Sequence, residues 1–218
     1  MATILTDQQI LTLKFISASS LSKQFYFSGG SALAYYYLKH RTSEDLDFFN
    51  EKEFDPQDIT IVLHSLKHKL GFSTFDYQNS FNRNLYFLKF PKSILKLEFI
   101  YYPFAQIEEP LKKDGLIIDS VLDIGVNKLF TISQNPRGRD YYDLYLIVEK
   151  YGHQLEKLRK LAKQKFDWHV DPLHLATQLD QVNNFLDDPI LMKNVSKNKL
   201  TSFFHEEAKK FESQILKK

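Results

Sequence analysis

The chain has 218 residues, 43% hydrophobic and 26% charged, the balance of a folded globular protein and not of a disordered one. Its formal net charge of +2 is too small to mark nucleic acid as a bulk polyanionic partner, although basic residues gather around 67–69, 112–113, 157–165 and 193–199. The lack of cysteine excludes disulfides and thiolate metal sites; with no leader pattern and no membrane-length apolar run, the expectation is a cytoplasmic protein without a membrane partner.

Thr6-Asp7-Gln8-Gln9 has the pattern of a capping box and opens a helix that carries Ile10, Leu11, Leu13 and Phe15 to about Ser19. "QFYFSGG" (24–30) reads as a short buried strand stopped by glycines, and "SALAYYYLKH" (31–40) as about three helical turns. "DLDFFN" (45–50) is a second strand. In 56–71, Ile59, Val62, Leu63, Leu66 and Leu70 recur at helical spacing, and Gly71 is the stop. Segments 72–78, 84–90 and 94–102 are β-like and joined by short polar connections, which predicts antiparallel neighbours. From Ser120 the texture turns helical: 120–133, 139–152, 153–166, 171–186 and 197–216. The fold class is α/β in the α+β sense. Residues 1–118 form a core with a mixed or antiparallel sheet flanked by helices, and residues 119–218 form a helical region packed against it. A cleft between the halves is the expected place for a ligand.

Two features of 27–49 ask for more than compactness. Gly29-Gly30-Ser31 follows a strand and starts a helix. Glycines there let the backbone turn sharply and approach a ligand closely, and the free N–H groups of a helix start favour an anion such as phosphate. A plain strand-to-helix turn is the competing reading. Asp45-Leu46-Asp47 places both carboxylates on one face of a strand while Leu46 enters the core. Two like charges side by side are costly unless a cation lies between them, and Mg²⁺ takes such oxygen ligands while keeping positions for substrate phosphates. The alternative, two solvated acids at a strand end, loses ground to the apolar Phe48 and Phe49 that follow. A third carboxylate is expected on a nearby strand. In "ILKLEFIYY", Leu95, Leu97 and Phe99 alternate with Lys96, Glu98 and Ile100, so Glu98 is the candidate.

Gly29-Gly30-Ser31 followed by Asp45-Leu46-Asp47 is similar to the signature of the DNA polymerase β-like nucleotidyltransferase superfamily. The fuller string "GGSALAYYYLKHRTSEDLDFF" resembles its AbiEii/AbiGii toxin branch, in which Gly-Gly-Ser/Thr-x-Leu precedes His-Arg-x-Ser-x-Asp-Leu-Asp-Phe. "VNKLFTI" (126–132) resembles the Lys-Leu helix of that branch, and "RGRDYYDLYLI" (137–147) its Arg-Asp-x-x-Asp-Leu segment, so the resemblance runs from about 25 to 150.

The resemblance implies a minimal nucleotidyltransferase fold, followed here by a helical C-terminal half. It also implies Mg²⁺-dependent transfer of a nucleotide from an NTP to an acceptor hydroxyl, with a two-metal site and Mn²⁺ as the alternative ion. A partner antitoxin is implied, and for some members transfer onto tRNA 3′ ends. Asp45 and Asp47 would hold the metals; Glu98, where many members carry Asp, would complete the set and help deprotonate the attacking hydroxyl. Gly29, Gly30 and Ser31 would contact the phosphates. Arg41 and Ser43 precede the acid pair, with Arg41 binding triphosphate or forming a structural ion pair. Lys128, amid Val126, Leu129 and Phe130, would contact phosphate or snorkel to solvent. Asp140 would orient Lys128 or the acceptor, and Asp143 would cap its helix or pair with Arg139. The turn "NPRGRD" (135–140) would touch a nucleic-acid backbone or stay solvated. His64 and His68 are four apart but lack a zincin glutamate and a third ligand, so no zinc site is expected. The expected role is the toxin of a toxin–antitoxin or phage-defence pair acting on RNA. The alternatives are nucleotidylation of a protein or small molecule such as an antibiotic, and a catalytically silent nucleotide-binding regulator.

Overall fold

A computed structural model describes residues 3–185 and 191–215. Residues 186 and 216, the expected ends of two C-terminal helices, lie outside the described residues. The chain forms two compact units, Met1–Tyr37 with Thr42–Ser120, and Leu38–Arg41 with Val121–Lys218.

In the first unit, α1 (Asp7–Ser17) starts at the expected capping box: Thr6 Oγ1 accepts from the Gln9 N–H at 3.2 Å, and Thr6 N–H donates to Gln9 Oε1 at 2.7 Å. The Gln9 amide then donates to the carbonyls of Ser43 and Glu44, at 2.9 and 2.8 Å. The cap residue therefore also fixes the backbone just ahead of Asp45.

Strands β1 (Tyr26–Ser28), β2 (Leu46–Asn50), β3 (Thr74–Ser80), β4 (Arg83–Lys89), β5 (Ile94–Tyr101), β6 (Leu111–Lys113) and β7 (Leu116–Ile118) build one seven-stranded sheet in the order β3-β4-β5-β2-β1-β7-β6. β3, β4 and β5 pair antiparallel as expected; β2 pairs parallel with β5 and antiparallel with β1, and β1 runs parallel to β7. The β6–β7 hairpin was not foreseen. Its turn, Asp114-Gly115, has both residues at positive φ (54° and 75°), the geometry an Asp-Gly pair favours in a two-residue hairpin.

Alternation along the central strands sorts chemistry onto two faces. Phe27, Phe48 and Phe99 form one cross-strand row, fully buried, with Phe48 stacked on Phe99 at 5.1 Å. The adjoining row, on the other face, is Ser28, Asp47 and Glu98. Helix α3 (Pro56–Leu70) belongs to the same unit; it is capped by Asp55 and ended by Gly71 at φ +80°. Its His64 packs its ring against Phe75.

After β1 the chain forms a short helix α2 (Gly29–Ala32) that widens into a π-helix over Leu33–Leu38, where a regular three-turn helix was expected. The run of Tyr35, Tyr36 and Tyr37 fills this wider turn, and Tyr37 donates from its hydroxyl to the Asp119 carbonyl at 2.9 Å.

The second unit is helical: α4 (Val121–Gln134), α5 (Gly138–Tyr151), α6 (Leu155–Phe166), α7 (Pro172–Asp180) and α8 (Lys197–Ile215). Its core joins Val126, Leu129, Tyr141, Leu158, Leu175 and Phe204, all buried. A fully buried Lys165–Asp123 ion pair at 2.6 Å ties α6 to α4.

Candidate active site

The first cluster grows from the polar row of the sheet. Ser28 ends β1, and its hydroxyl donates to Asp119 Oδ2 at 2.7 Å; Gln106 donates to Asp119 Oδ1 at 2.8 Å. Asp119, wholly buried just past β7, thereby holds the last residue before the glycine turn. Gly29 follows at φ +73°, a conformation that L side chains rarely adopt. A Cβ built on Gly29 overlaps Asp47 Oδ2 and lies 3.2 Å from Asp47 Cβ and Cγ. Glycine is therefore required twice, for its dihedral angle and because the Asp47 carboxylate occupies the space a side chain would take. Gly29 of the turn and Asp47 of the acid pair, eighteen positions apart in sequence, are therefore in contact. Ser31, next in the helix, is buried, and its hydroxyl has no hydrogen-bond partner among the described residues.

Asp45 and Glu98 are bridged by a cation from the protein. Lys96 Nζ lies 2.9 Å from Asp45 Oδ2 and 2.6 Å from Glu98 Oε1. Arg83 completes the charge matching by donating to Glu98 Oε2 through Nε at 2.9 Å and through Nη2. Burial pushes the Glu98 carboxyl up, but the hydrogen bonds from Lys96 and Arg83 outweigh it and hold the group below its ordinary range. Burial likewise pulls Lys96 down, while its bonds to Glu98 and Asp45 keep it above its usual value. A carboxylate so stabilised in its charged form is a weak proton acceptor.

The second cluster lies within the second unit. Asp143, fully buried on α5, accepts from Arg41 Nε at 2.7 Å and Nη2 at 2.9 Å, pairs with His40 Nε2 at 2.6 Å, and meets Lys128 Nζ at 2.7 Å. Lys128 also donates to Asp140 at 2.7 Å, and Arg137 Nε holds the other oxygen of Asp140 at 3.0 Å. Burial works against the charged carboxylates, but Lys128, Arg41 and their hydrogen bonds win, leaving Asp143 well below its ordinary value; Lys128 and Arg137 do the same for Asp140. Burial lowers His40, and its bond to Asp143 only partly opposes this.

The model of the family described as nucleotidyl transferase AbiEii toxin, type IV toxin–antitoxin system, matches residues 11–215. The chain belongs to the AbiEii family. A relative named uncharacterized protein aq_aa25, from Aquifex aeolicus (strain VF5), is 32% identical over 166 residues, covering 74% of this chain and 76% of its own. Among solved structures, JHP933 from Helicobacter pylori superposes with a TM-score of 0.62 at 20% identity, covering 98% of this chain and 95% of its own. The Megavirus polyadenylate synthase reaches 0.50 at 14% identity over 68% of this chain and 32% of its own. The protein is a nucleotidyltransferase with an α+β fold, and AbiEii membership implies an NTP substrate and an antitoxin partner. Among the described residues no helix is long and apolar enough to cross a membrane.

The AbiEii motifs thus resolve into two clusters. Gly29, Gly30, Ser31, Ser43, Asp45, Asp47 and Glu98 lie in the first unit, and Arg41, Lys128 and Asp140 in the second. Ser43 donates its backbone N–H to Ile4 at 3.1 Å and lends its carbonyl to Gln9. Lys128 is 7% exposed and its ammonium turns inward to Asp140 and Asp143. Asp143 pairs with His40, Arg41 and Lys128, where a cap or a pairing with Arg139 was expected. Sequence reasoning missed His40, Lys96, Asp119 and the centrality of Asp143. Asp140 and Asp143, three apart on one buried helix face, were the available signal for the last.

The fit to a divalent cation differs among the expected ligands. Asp45 and Asp47 offer the oxygen donors a hard cation takes, and the bare Cα of Gly29 leaves the room that the Asp47 carboxylate occupies. Glu98 is in register with Asp47, yet both its oxygens are engaged. Among the described residues no three His, Cys, Asp or Glu side chains converge closely enough to hold an ion. Lys96 stands between Asp45 and Glu98, so these two carboxylates share its ammonium.

Proposed function

We propose that the protein transfers a nucleotide from an NTP to a hydroxyl of an RNA acceptor, a tRNA 3′ end, as the toxin of a toxin–antitoxin or phage-defence pair in the cytoplasm. The observation that supports this reading is the contact between Gly29 of the turn and Asp47 of the acid pair. Membership of a toxin family supports the biological role. That one neighbour of the same fold is named a polyadenylate synthase supports RNA as the acceptor class.

In this reading Asp45 and Asp47 hold the divalent cation, Mg²⁺ or Mn²⁺, with Glu98 as the third carboxylate of a two-metal set. The bound ions would supply Lewis-acid polarisation of the phosphates and lower the pKa of the attacking hydroxyl. Gly29, Gly30 and Ser31 seat the β- and γ-phosphates with backbone N–H groups and the Ser31 hydroxyl. The acceptor oxygen attacks the α-phosphorus, the bond to the β-phosphate oxygen breaks, pyrophosphate leaves, and the hydroxyl proton passes to solvent. Asp119 and Gln9 act one step back: Asp119 holds Ser28 before the glycine turn, and Gln9 holds residues 43–44 before the acid pair. In this proposal Lys128 holds α4 to α5 through Asp140 and Asp143, and Arg41 holds residues 38–41 to α5 through Asp143, because their charges are already matched there.

The test is incubation of the protein with Mg²⁺, each labelled NTP in turn, and total tRNA, total protein or a small-molecule fraction. Label in the tRNA fraction, at its 3′ end, is the expected result. Label only in protein or in small molecules would refute the RNA acceptor, and NTP binding without transfer to any fraction would favour a silent regulator.

A further inference from the structure

Lys96 is a residue for which the nucleotidyl-transfer reading has no use so far. It sits on β5 two positions before Glu98, on the same sheet face, and its ammonium is shared by Asp45 and Glu98. The face therefore carries Asp45, Asp47 and Glu98 against Lys96 and Arg83. A divalent cation that takes Asp45 and the Lys96 ammonium compete for the same oxygens, since two cations cannot share a carboxylate at hydrogen-bond distance without strong repulsion. The two bonds that Lys96 makes are not equally exchangeable. Glu98 keeps Arg83 when Lys96 leaves, whereas Lys96 is the cation seen on Asp45. Lys96 is also 27% exposed in its side chain, so its flexible stem can carry the ammonium elsewhere without unfolding the strand.

We propose that Lys96 is an exchangeable internal cation: it holds Asp45 and Glu98 in place, yields them to the divalent ion, and then pairs with the phosphates of the incoming NTP. It acts as a positioning residue that makes metal binding and nucleotide binding depend on each other. The ion alone must displace an ammonium that has nowhere better to go, while the ion arriving with NTP offers that ammonium an anionic partner. This proposal rests on the assignment of Asp45 and Asp47 as the metal-holding pair, and the experiment separates the two.

Mn²⁺ binding is titrated by the loss of the free-ion electron paramagnetic resonance signal, with and without a non-hydrolysable NTP analogue, for wild type, Lys96→Met, Lys96→Arg and Asp45→Asn. Without nucleotide, Lys96→Met is expected to bind Mn²⁺ about tenfold more tightly than wild type, because it loses the competitor and leaves two carboxylates facing each other. The analogue is expected to tighten Mn²⁺ binding in wild type and Lys96→Arg, and to lose most of that effect in Lys96→Met. Equal Mn²⁺ affinity in wild type and Lys96→Met, abolished in both by Asp45→Asn, would overturn the role of Lys96 and leave the acid-pair assignment standing. Mn²⁺ binding that ignores Asp45→Asn would overturn both. Should Lys96→Met not fold, amine labelling of wild type followed by mass spectrometry decides the matter. Lys96 is expected to react faster once Mn²⁺ is added, and an unchanged rate overturns the proposal.

Discussion

Replacing Gly29 with alanine perturbs the feature on which the site depends. The residue sits at φ +73°, where an L side chain costs about 1–2 kcal/mol, and its new Cβ would overlap Asp47 Oδ2. Ordinary contact needs about 3.5 Å, so either the carboxylate or the turn must give way by a shift on the order of 1 Å. For a chain of this size the backbone term lowers Tm by roughly 2–8 °C. Displacement of a reacting group by such a distance costs transfer roughly a hundredfold. Gly71→Ala is the matched control: Gly71 has nearly the same dihedral, φ +80°, but nothing lies within 4 Å of its would-be Cβ. The assay compares Tm and the rate of label transfer from NTP for both variants. Both should lose the backbone contribution, Gly29→Ala should lose more through the overlap with Asp47, and only Gly29→Ala should lose transfer. If the two variants retain the same transfer rate, the contact between the turn and Asp47 is not part of the reaction and the reasoning fails.

Asp143→Ala should leave Arg41, His40 and Lys128 without their shared carboxylate and cost about 3–5 kcal/mol, seen as a Tm loss of about 6–20 °C; a loss under about 1 kcal/mol would contradict the buried node. Stability should fall with acid in two stages. His40 has a folded pKa lowered by burial, so the unfolded chain binds a proton the fold refuses as pH drops below about 6.5, and His40→Gln should flatten that first stage of a Tm-versus-pH curve. Asp140, Asp143 and Glu98 have lowered folded values, so their contribution is complete above about pH 4 and is lost as pH falls further towards those values. A curve flat to pH 3 would contradict the second stage.

Much of the first cluster was legible because alternation is a local property. Leu46 and Phe48 inward put Asp45 and Asp47 on the other face, and the same counting put Glu98 and Lys96 on one side of β5. What alternation leaves open is cross-strand register, which sets Ser28, Asp47 and Glu98 in one row and depends on pairings between strands far apart in sequence. Lys96 was visible as a neighbour of Glu98, but its bridge to Asp45 spans 51 positions and has no local signature. The three-residue strands β6 and β7 are too short to show a period, so the hairpin went unseen and Asp119 with it. In the second cluster the charged residues were noticed one at a time. Their joint burial around Asp143 joins residues 102 positions apart, and a lysine amid apolar neighbours reads the same whether its partner is a phosphate or an aspartate. The π-helix was hidden because helical composition does not distinguish a regular turn from a wide one.

The central claim is that the Asp45–Asp47 face carries out nucleotidyl transfer. Its most direct test is the rate of label transfer from NTP in Asp47→Asn, which keeps the shape of the side chain beside Gly29 and removes its charge, measured together with the thermal melt. The account predicts a fold that melts within a few degrees of wild type and transfer reduced at least about a hundredfold. Wild-type transfer rates in a folded Asp47→Asn protein would contradict it.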